Sequence, residues 1–251
     1  MFSKLLTTSL LLSSVLISNA NAESHGRAWS STNAGKFSAS ANVGIMPAFY
    51  MSRKTPNNTT ALTGVKPPEF SKQFKMPFDL AGELGYVVKN DLEVFYNFDW
   101  SHGGGKTYNF TQNGVTFDQK FSKYNAYGNY LGARYYFTFK CSPVKPFVGA
   151  KIGILSQNSV KVNQTVTGFG ASQNTNFAYF GKKNSFAGGF QVGVNWQLLK
   201  NVSLVFKAEA LASFSRKGTF LINRPPVQLF KVGSTGGQFS FPITLGVRFT
   251  L

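Results

Sequence analysis

From position 239 to the end of the chain, every second residue is large and apolar: Phe239, Phe241, Ile243, Leu245, Val247, Phe249 and Leu251. Ser240, Pro242, Thr244, Gly246, Arg248 and Thr250 lie between them. Side chains of a strand project to alternate sides, so this stretch predicts a strand with one greasy face and one small or polar face. Seven other segments repeat the alternation: 37–51, 78–88, 92–100, 125–139, 146–155, 186–198 and 202–214. Eight strands of this kind predict an all-β chain.

The polar faces decide what kind of all-β chain. Asp79, Glu83, Glu93, Asp99 and Glu209 fall on them, as do Arg134, Lys151, Lys207 and Arg248, while no charge falls on any of the apolar faces. A soluble sandwich carries Lys and Glu freely on its outer face and none inside. A charge turned toward lipid at mid-depth costs roughly 2–4 kcal/mol, so a charge-free apolar face is what a membrane barrel requires. The pattern predicts lipid outside and charge within. The connections agree. Those at 89–91, 140–145 and 199–201 are short, and the other four are polar and roughly 20–30 residues long, a length uncommon within a compact soluble domain.

Composition adds three restrictions. Twenty-five glycines argue against a helical bundle. The mean hydropathy of −0.09 excludes a bundle of membrane helices but not a barrel, whose strands are only half apolar. Aromatic residues make up 16% and charged residues 14% of the chain, which suits a barrel with aromatic girdles. At the other end of the chain, 1–22 reads as a cleaved signal peptide. Lys4 supplies the positive start, Leu5 to Ile17 the apolar core, and Ala20-Asn21-Ala22 the cleavage site. Its apolar run is too short to span a bilayer. A short polar lead-in, 23–36, precedes the barrel proper, 37–251.

The alternating C-terminal strand ending in Phe249 and Leu251, with short turns facing long loops, resembles the small eight-stranded outer-membrane barrels of bacteria, the OmpA/OmpX-like transmembrane type that includes surface antigens. The resemblance implies an eight-stranded antiparallel up-and-down transmembrane barrel. Its short turns would be periplasmic and its long loops extracellular, with both termini in the periplasm. It also implies that 239–251 is the signal read by the barrel-assembly machinery, that lipid and lipopolysaccharide are the surroundings, and that the barrel is a monomer. The family holds surface antigens, adhesins, structural proteins and narrow channels. One departure is Leu251 where the family commonly ends on Phe.

The inward charges predict a network across the barrel: Asp79, Glu83, Glu93, Arg134, Lys151, Lys207, Glu209 and Arg248. Inward glycines, among them Gly85, Gly128, Gly149 and Gly189, would make room for them. An eight-stranded barrel is just wide enough for side chains to fill, so no wide pore is expected. Pro47 and Pro242 fall on strands that become neighbours on closure, and each removes a ladder donor, so a bulge or lost pairing is expected at the outer end of this seam.

The long loops hold fifteen basic residues against two acids. Excess positive charge attracts polyanions, here lipopolysaccharide phosphates or host-surface glycans, with host proteins as further partners. The densest points are Arg53-Lys54, Lys182-Lys183 and Arg216-Lys217. Nucleic acid fits the charge but not an exported barrel. Other chemistry is thin. Two histidines and one cysteine give no metal-ligand spacing, and no cofactor motif exists. Cys141 is a lone thiol in a turn, without a partner in its own chain. His102 to Lys106 resembles a Gly-rich phosphate loop but lacks its first glycine, and reads as a flexible extracellular loop. Asp99, Ser101 and His102 make no complete catalytic site: Asp99 and Ser101 share a strand face that His102 does not. The expected function is a non-enzymatic surface barrel with basic loops. The alternatives are a narrow porin and a lipid-A-modifying enzyme at the rim.

Overall fold

The structure, a computed structural model, describes residues 34–53, 73–89, 91–112, 114–139, 142–168, 171–214, 222–224, 227–229 and 235–251. The first strands are β1 (Phe37–Arg53), β2 (Phe78–Lys89), β3 (Leu92–Gly103), β4 (Thr107–Gln112) and β5 (Val115–Phe121). Next come β6 (Tyr124–Tyr136), β7 (Val144–Gln157), β8 (Val160–Gly168), β9 (Ala171–Phe180) and β10 (Lys183–Leu199). The last are β11 (Val202–Ser213), β12 (Ile222–Arg224), β13 (Val227–Leu229) and β14 (Thr235–Thr250).

Eight of them close a barrel in the order β1-β14-β11-β10-β7-β6-β3-β2. Every neighbouring pair is antiparallel, and closure runs from Ser38↔Thr250 to Arg53↔Thr235. The alternation sorts as a barrel demands. The apolar faces of the barrel strands point outward, with Leu131 66% and Phe190 73% exposed. Arg134, Lys151, Glu93 and Lys207 point inward at 3% exposure or less. Two aromatic girdles flank the apolar belt, as interfacial rings do. At the turn end Phe37 meets Tyr86 at 5.0 Å and Tyr135 meets Phe137 at 5.4 Å. At the loop end Phe78 meets Trp100 at 5.7 Å and Phe186 meets Phe214 at 6.0 Å.

Two of the long connections expected to be polar loops are strands. The hairpins β4–β5 and β8–β9 pair through β5 and β8 into a four-stranded sheet beyond the barrel's loop end. One face of it carries Asn109, Asp118 and Thr165; the other carries Phe110, Phe117 and Val166. The sheet's root is anchored by a core of Phe74, Phe121, Tyr124, Ala126, Val160 and Val162, all at 4% exposure or less, which forms a cap on the barrel. The stretch at His102 is also not a flexible loop. His102 and Gly103 end β3, Gly105 bridges to Phe74, and the Lys75 N–H donates to the Gly104 carbonyl at 2.8 Å. A Cβ on Gly105 would run into the Phe121 carbonyl, so the glycine permits this close approach.

The hairpin β4–β5 turns at Gly114, which has φ +75°. Non-glycine residues disfavour that conformation by roughly 1–2 kcal/mol. Gly114→Ala is therefore expected to speed amide exchange in β4 and β5 about five-fold or more, with β1 and β14 unchanged. Equal exchange in both proteins would show that the hairpin does not depend on its turn.

At the seam the expected bulge is present. The register of β1 and β14 shifts between Ile45↔Ile243 and Ala48↔Phe241, across Pro47 and Pro242. The Met46 N–H is satisfied elsewhere, by the Pro77 carbonyl at 2.9 Å. The signal segment 1–22, most of the lead-in 23–36, and Cys141 lie outside the described residues.

Candidate functional site

The inward charges converge because alternation sends each to the same side and the register brings them to neighbouring heights. Glu93 faces Arg134 across β3 and β6, Gln191 faces Glu209 across β10 and β11, and Lys207 faces Gly193. Among the described residues, seven ion pairs result. Arg248 Nη2 lies 2.9 Å from Glu93 Oε1, and Arg134 Nε lies 3.0 Å from Glu93 Oε2. Arg134 Nη2 lies 2.5 Å from Glu83 Oε2, and Glu83 also holds Lys207. Lys207 Nζ is 2.9 Å from Glu209, whose other oxygen is 2.6 Å from Lys151 Nζ, and Lys151 continues to Asp99 at 2.8 Å. The contacts of Arg134 Nε and Glu209 Oε1 meet ion-pair distance without hydrogen-bond alignment. The structure thus brings seven of the eight expected network residues into one chain of charges, with Asp99 as an eighth member. Asp79 stands apart, accepting a hydrogen bond from Ser101 at 2.6 Å.

Neutral partners that the charge pattern did not point to complete the network. Ser38 donates to Glu93 at 2.5 Å, Tyr136 donates to Glu93 at 2.7 Å and also contacts Arg248, and Lys151 donates to Asn97 at 2.7 Å. Aromatic rings fill the rest. Arg134 lies over Phe95 at 4.3 Å, Lys151 over Tyr130 at 4.5 Å and Arg248 over Tyr136 at 5.2 Å. These rings occupy much of the room that glycines leave: Gly132 lies against Phe95, Gly128 against Tyr130 and Gly193 against Phe147. The sequence signal for them is parity, since Phe95, Tyr130, Tyr136 and Phe147 occupy the same face as the charges.

Above Lys151 a small chamber opens inside the barrel, lined by Asp79, Asp99, Ser101, Tyr130, Leu211 and Gln238 among others. Gln157 roofs it, donating to the Tyr124 hydroxyl at 3.0 Å and to Gln238 at 2.8 Å, and the cap lies beyond. Among the described residues, the charge network fills the interior below the chamber and the cap's apolar core stands at the loop end.

The basic pairs divide. Lys182 is exposed, and Lys183 is half-buried as the first residue of β10 rather than a loop residue. Arg53 ends β1. Lys54, Arg216 and Lys217 lie outside the described residues. The rim triad is not assembled. Ser101 is buried and bonded to Asp79, whereas His102 faces the other way, with Nδ1 2.7 Å from Asn125 Oδ1. Among the described residues no group of three or more His, Cys, Asp or Glu side chains could hold a metal ion.

No family model matches the chain, and no curated protein does. Solved structures of similar architecture are eight-strand outer-membrane barrels. The outer-membrane protein AlkL in lipid bilayers is 16% identical at TM-score 0.49, over 92% of this chain and 96% of that one. OprG of Pseudomonas aeruginosa is 12% identical at TM-score 0.47, over 86% and 96%. Neisserial surface protein A is 16% identical at TM-score 0.44, over 85% and 96%.

Proposed function

We propose that this chain is a non-enzymatic surface barrel of a bacterial outer membrane, with its turns in the periplasm and a basic loop end that contacts polyanions. The observation that carries the reading is the charge at that end. Among the described residues Lys75, Lys106, Lys120, Lys123, Lys161 and Lys182 are exposed there, against the single exposed acid Asp118. Lysine is a flexible point charge, suited to loose attraction rather than to bidentate recognition. The ligand class is therefore phosphate- or sulfate-rich: lipopolysaccharide, or glycans of a host surface. On this reading the signal peptide is removed on export, assembly uses β14, and the barrel works as a monomer.

Binding of purified barrel to lipopolysaccharide and to a sulfated glycan tests it. Affinity is expected to fall steeply between low salt and about 0.15 M, where the field reaches only about 8 Å. Reversing Lys182, Lys183, Arg216 and Lys217 to Glu, or Lys120 and Lys161 on the polar face of the cap, is expected to weaken binding at low salt by about ten-fold or more. Equal affinity of wild type and both variants would sink the proposal.

The narrow-porin alternative makes the opposite demand of the interior. The seven ion pairs among the described residues and the apolar core of the cap favour a filled interior with no continuous wide pore. Wild-type protein in planar bilayers is expected to show no steady conductance above that of the bare membrane. Large, steady currents would favour the channel reading instead.

A further inference from the structure

The enclosed charges do not balance. Among the described residues the fully buried interior charges are five carboxylates (Asp79, Glu83, Glu93, Asp99 and Glu209) and four cations (Arg134, Lys151, Lys207 and Arg248), none more than 8% exposed; a further cation, Lys145, is half-buried at the turn end beside Arg248 and does not line the chamber. The four cations are committed. Lys151 has three N–H groups and three acceptors, Asn97, Asp99 and Glu209, at 2.7, 2.8 and 2.6 Å. Lys207 bridges Glu83 and Glu209, and both arginines are held at Glu93. Asp79 is the remaining carboxylate. It is 3% exposed, it makes no ion pair among the described residues, and its Oδ1 accepts a hydrogen bond from the neutral Ser101 hydroxyl. Asp79 lines the chamber beside Asp99. A buried carboxylate without a counter-charge is costly, and in such a place it is paired or neutralised.

We infer that the chamber binds one small monovalent cation, an alkali-metal ion or ammonium, held between Asp79 and Asp99. The deficit among the fully buried charges is a single charge, so a divalent ion would only reverse it. The wall supplies hard oxygen donors of the kind such ions prefer, from Ser101, Ser213, Gln238 and Ser240 in addition to the two carboxylates. There is room for a body the size of a water molecule, which admits an alkali ion and excludes larger organic amines. The bound ion would tie β2 and β3, which carry the two carboxylates, to β11 and β14 across the barrel's upper half.

Rubidium serves as the probe because its anomalous scattering reports position. Crystals of full-length barrel equilibrated in RbCl are expected to show one anomalous peak between Asp79 and Asp99, absent from Asp79→Asn crystals. In parallel, the thermal midpoint of wild type is expected to rise with RbCl or KCl relative to N-methylglucamine chloride at equal ionic strength, while Asp79→Asn stays flat. The variant removes the surplus charge, so it is not expected to unfold. A wild type without the peak, or with an infrared carboxylic-acid band that Asp79→Asn abolishes, would show that a proton neutralises Asp79 and would overturn the site. A salt response shared by the variant would overturn it as well, tracing the effect to the surface lysines.

Discussion

Replacing Glu83 with alanine is expected to destabilise the barrel by roughly 3–5 kcal/mol, the range for breaking a buried ion pair from one side. Glu83 is the joint of the network: Arg134 holds one of its oxygens and Lys207 the other, and all three side chains are almost wholly enclosed. Without it, the turn-side half of the interior has two guanidinium groups, Arg134 and Arg248, sharing the single carboxylate Glu93. Lys207 would retain only Glu209, which Lys151 also uses. The cost comes from the cations left behind. A double variant, Glu83→Leu with Lys207→Met, is therefore expected to lose less than Glu83→Ala alone, since apolar groups of similar volume can replace a buried pair nearly neutrally. Asp79→Asn, compared in N-methylglucamine chloride so that no small cation is bound, is the internal control, because Asp79 makes no ion pair among the described residues and its removal orphans no side-chain cation. Urea unfolding of the refolded protein in one detergent or lipid measures the wild type and the three variants. Equal, small losses for Glu83→Ala and Asp79→Asn would mean that the network is decoration on a barrel held by its backbone ladders.

The barrel and its interior are legible in the sequence because both rest on a period of two. Alternation fixes the face of each residue, and in a closed sheet the face alone decides between lipid and lumen. That is why Glu83, Arg134, Lys151 and Lys207, scattered over four strands, can be assigned to one space without knowledge of the register. The same parity turns Phe95, Tyr130, Tyr136 and Phe147 inward, but reading large residues as the lipid face hides those lying among the charges. The cap escapes for a related reason. Tyr108 and Phe110, then Val115 and Phe117, alternate around Asn113-Gly114, a strong two-residue hairpin signal, yet the polar residues between them suggest a loop. What alternation cannot give is pairing at distance. Nothing local in 101–124 or 156–185 says that β5 will lie beside β8, since that contact joins two hairpins across β6 and β7. Nor does spacing show that Asp79 misses the network that its neighbour Asp99 joins.

The second large effect is expected on the outside. Leu131 sits in the middle of β6, opposite Tyr96 on one side and Ile152 on the other, and all three point away from the lumen. At 66% exposure this leucine would gain little from a soluble surface and would be a liability there. Against acyl chains it is in its proper solvent. Leu131→Arg is therefore expected to cost roughly 2–4 kcal/mol in a lipid bilayer, because a guanidinium at mid-depth loses its hydration and has no partner within reach. Thr116→Arg, on the exposed polar face of the cap, is expected to change stability by no more than about 0.5 kcal/mol, as surface substitutions generally do. Leu131→Ala separates loss of the side chain from gain of the charge, and should lie much closer to wild type than the arginine variant. The comparison is made by reversible unfolding from bilayers of defined thickness. If the two arginines cost the same small amount, the apolar belt does not face lipid, and the membrane reading of the whole barrel falls with it.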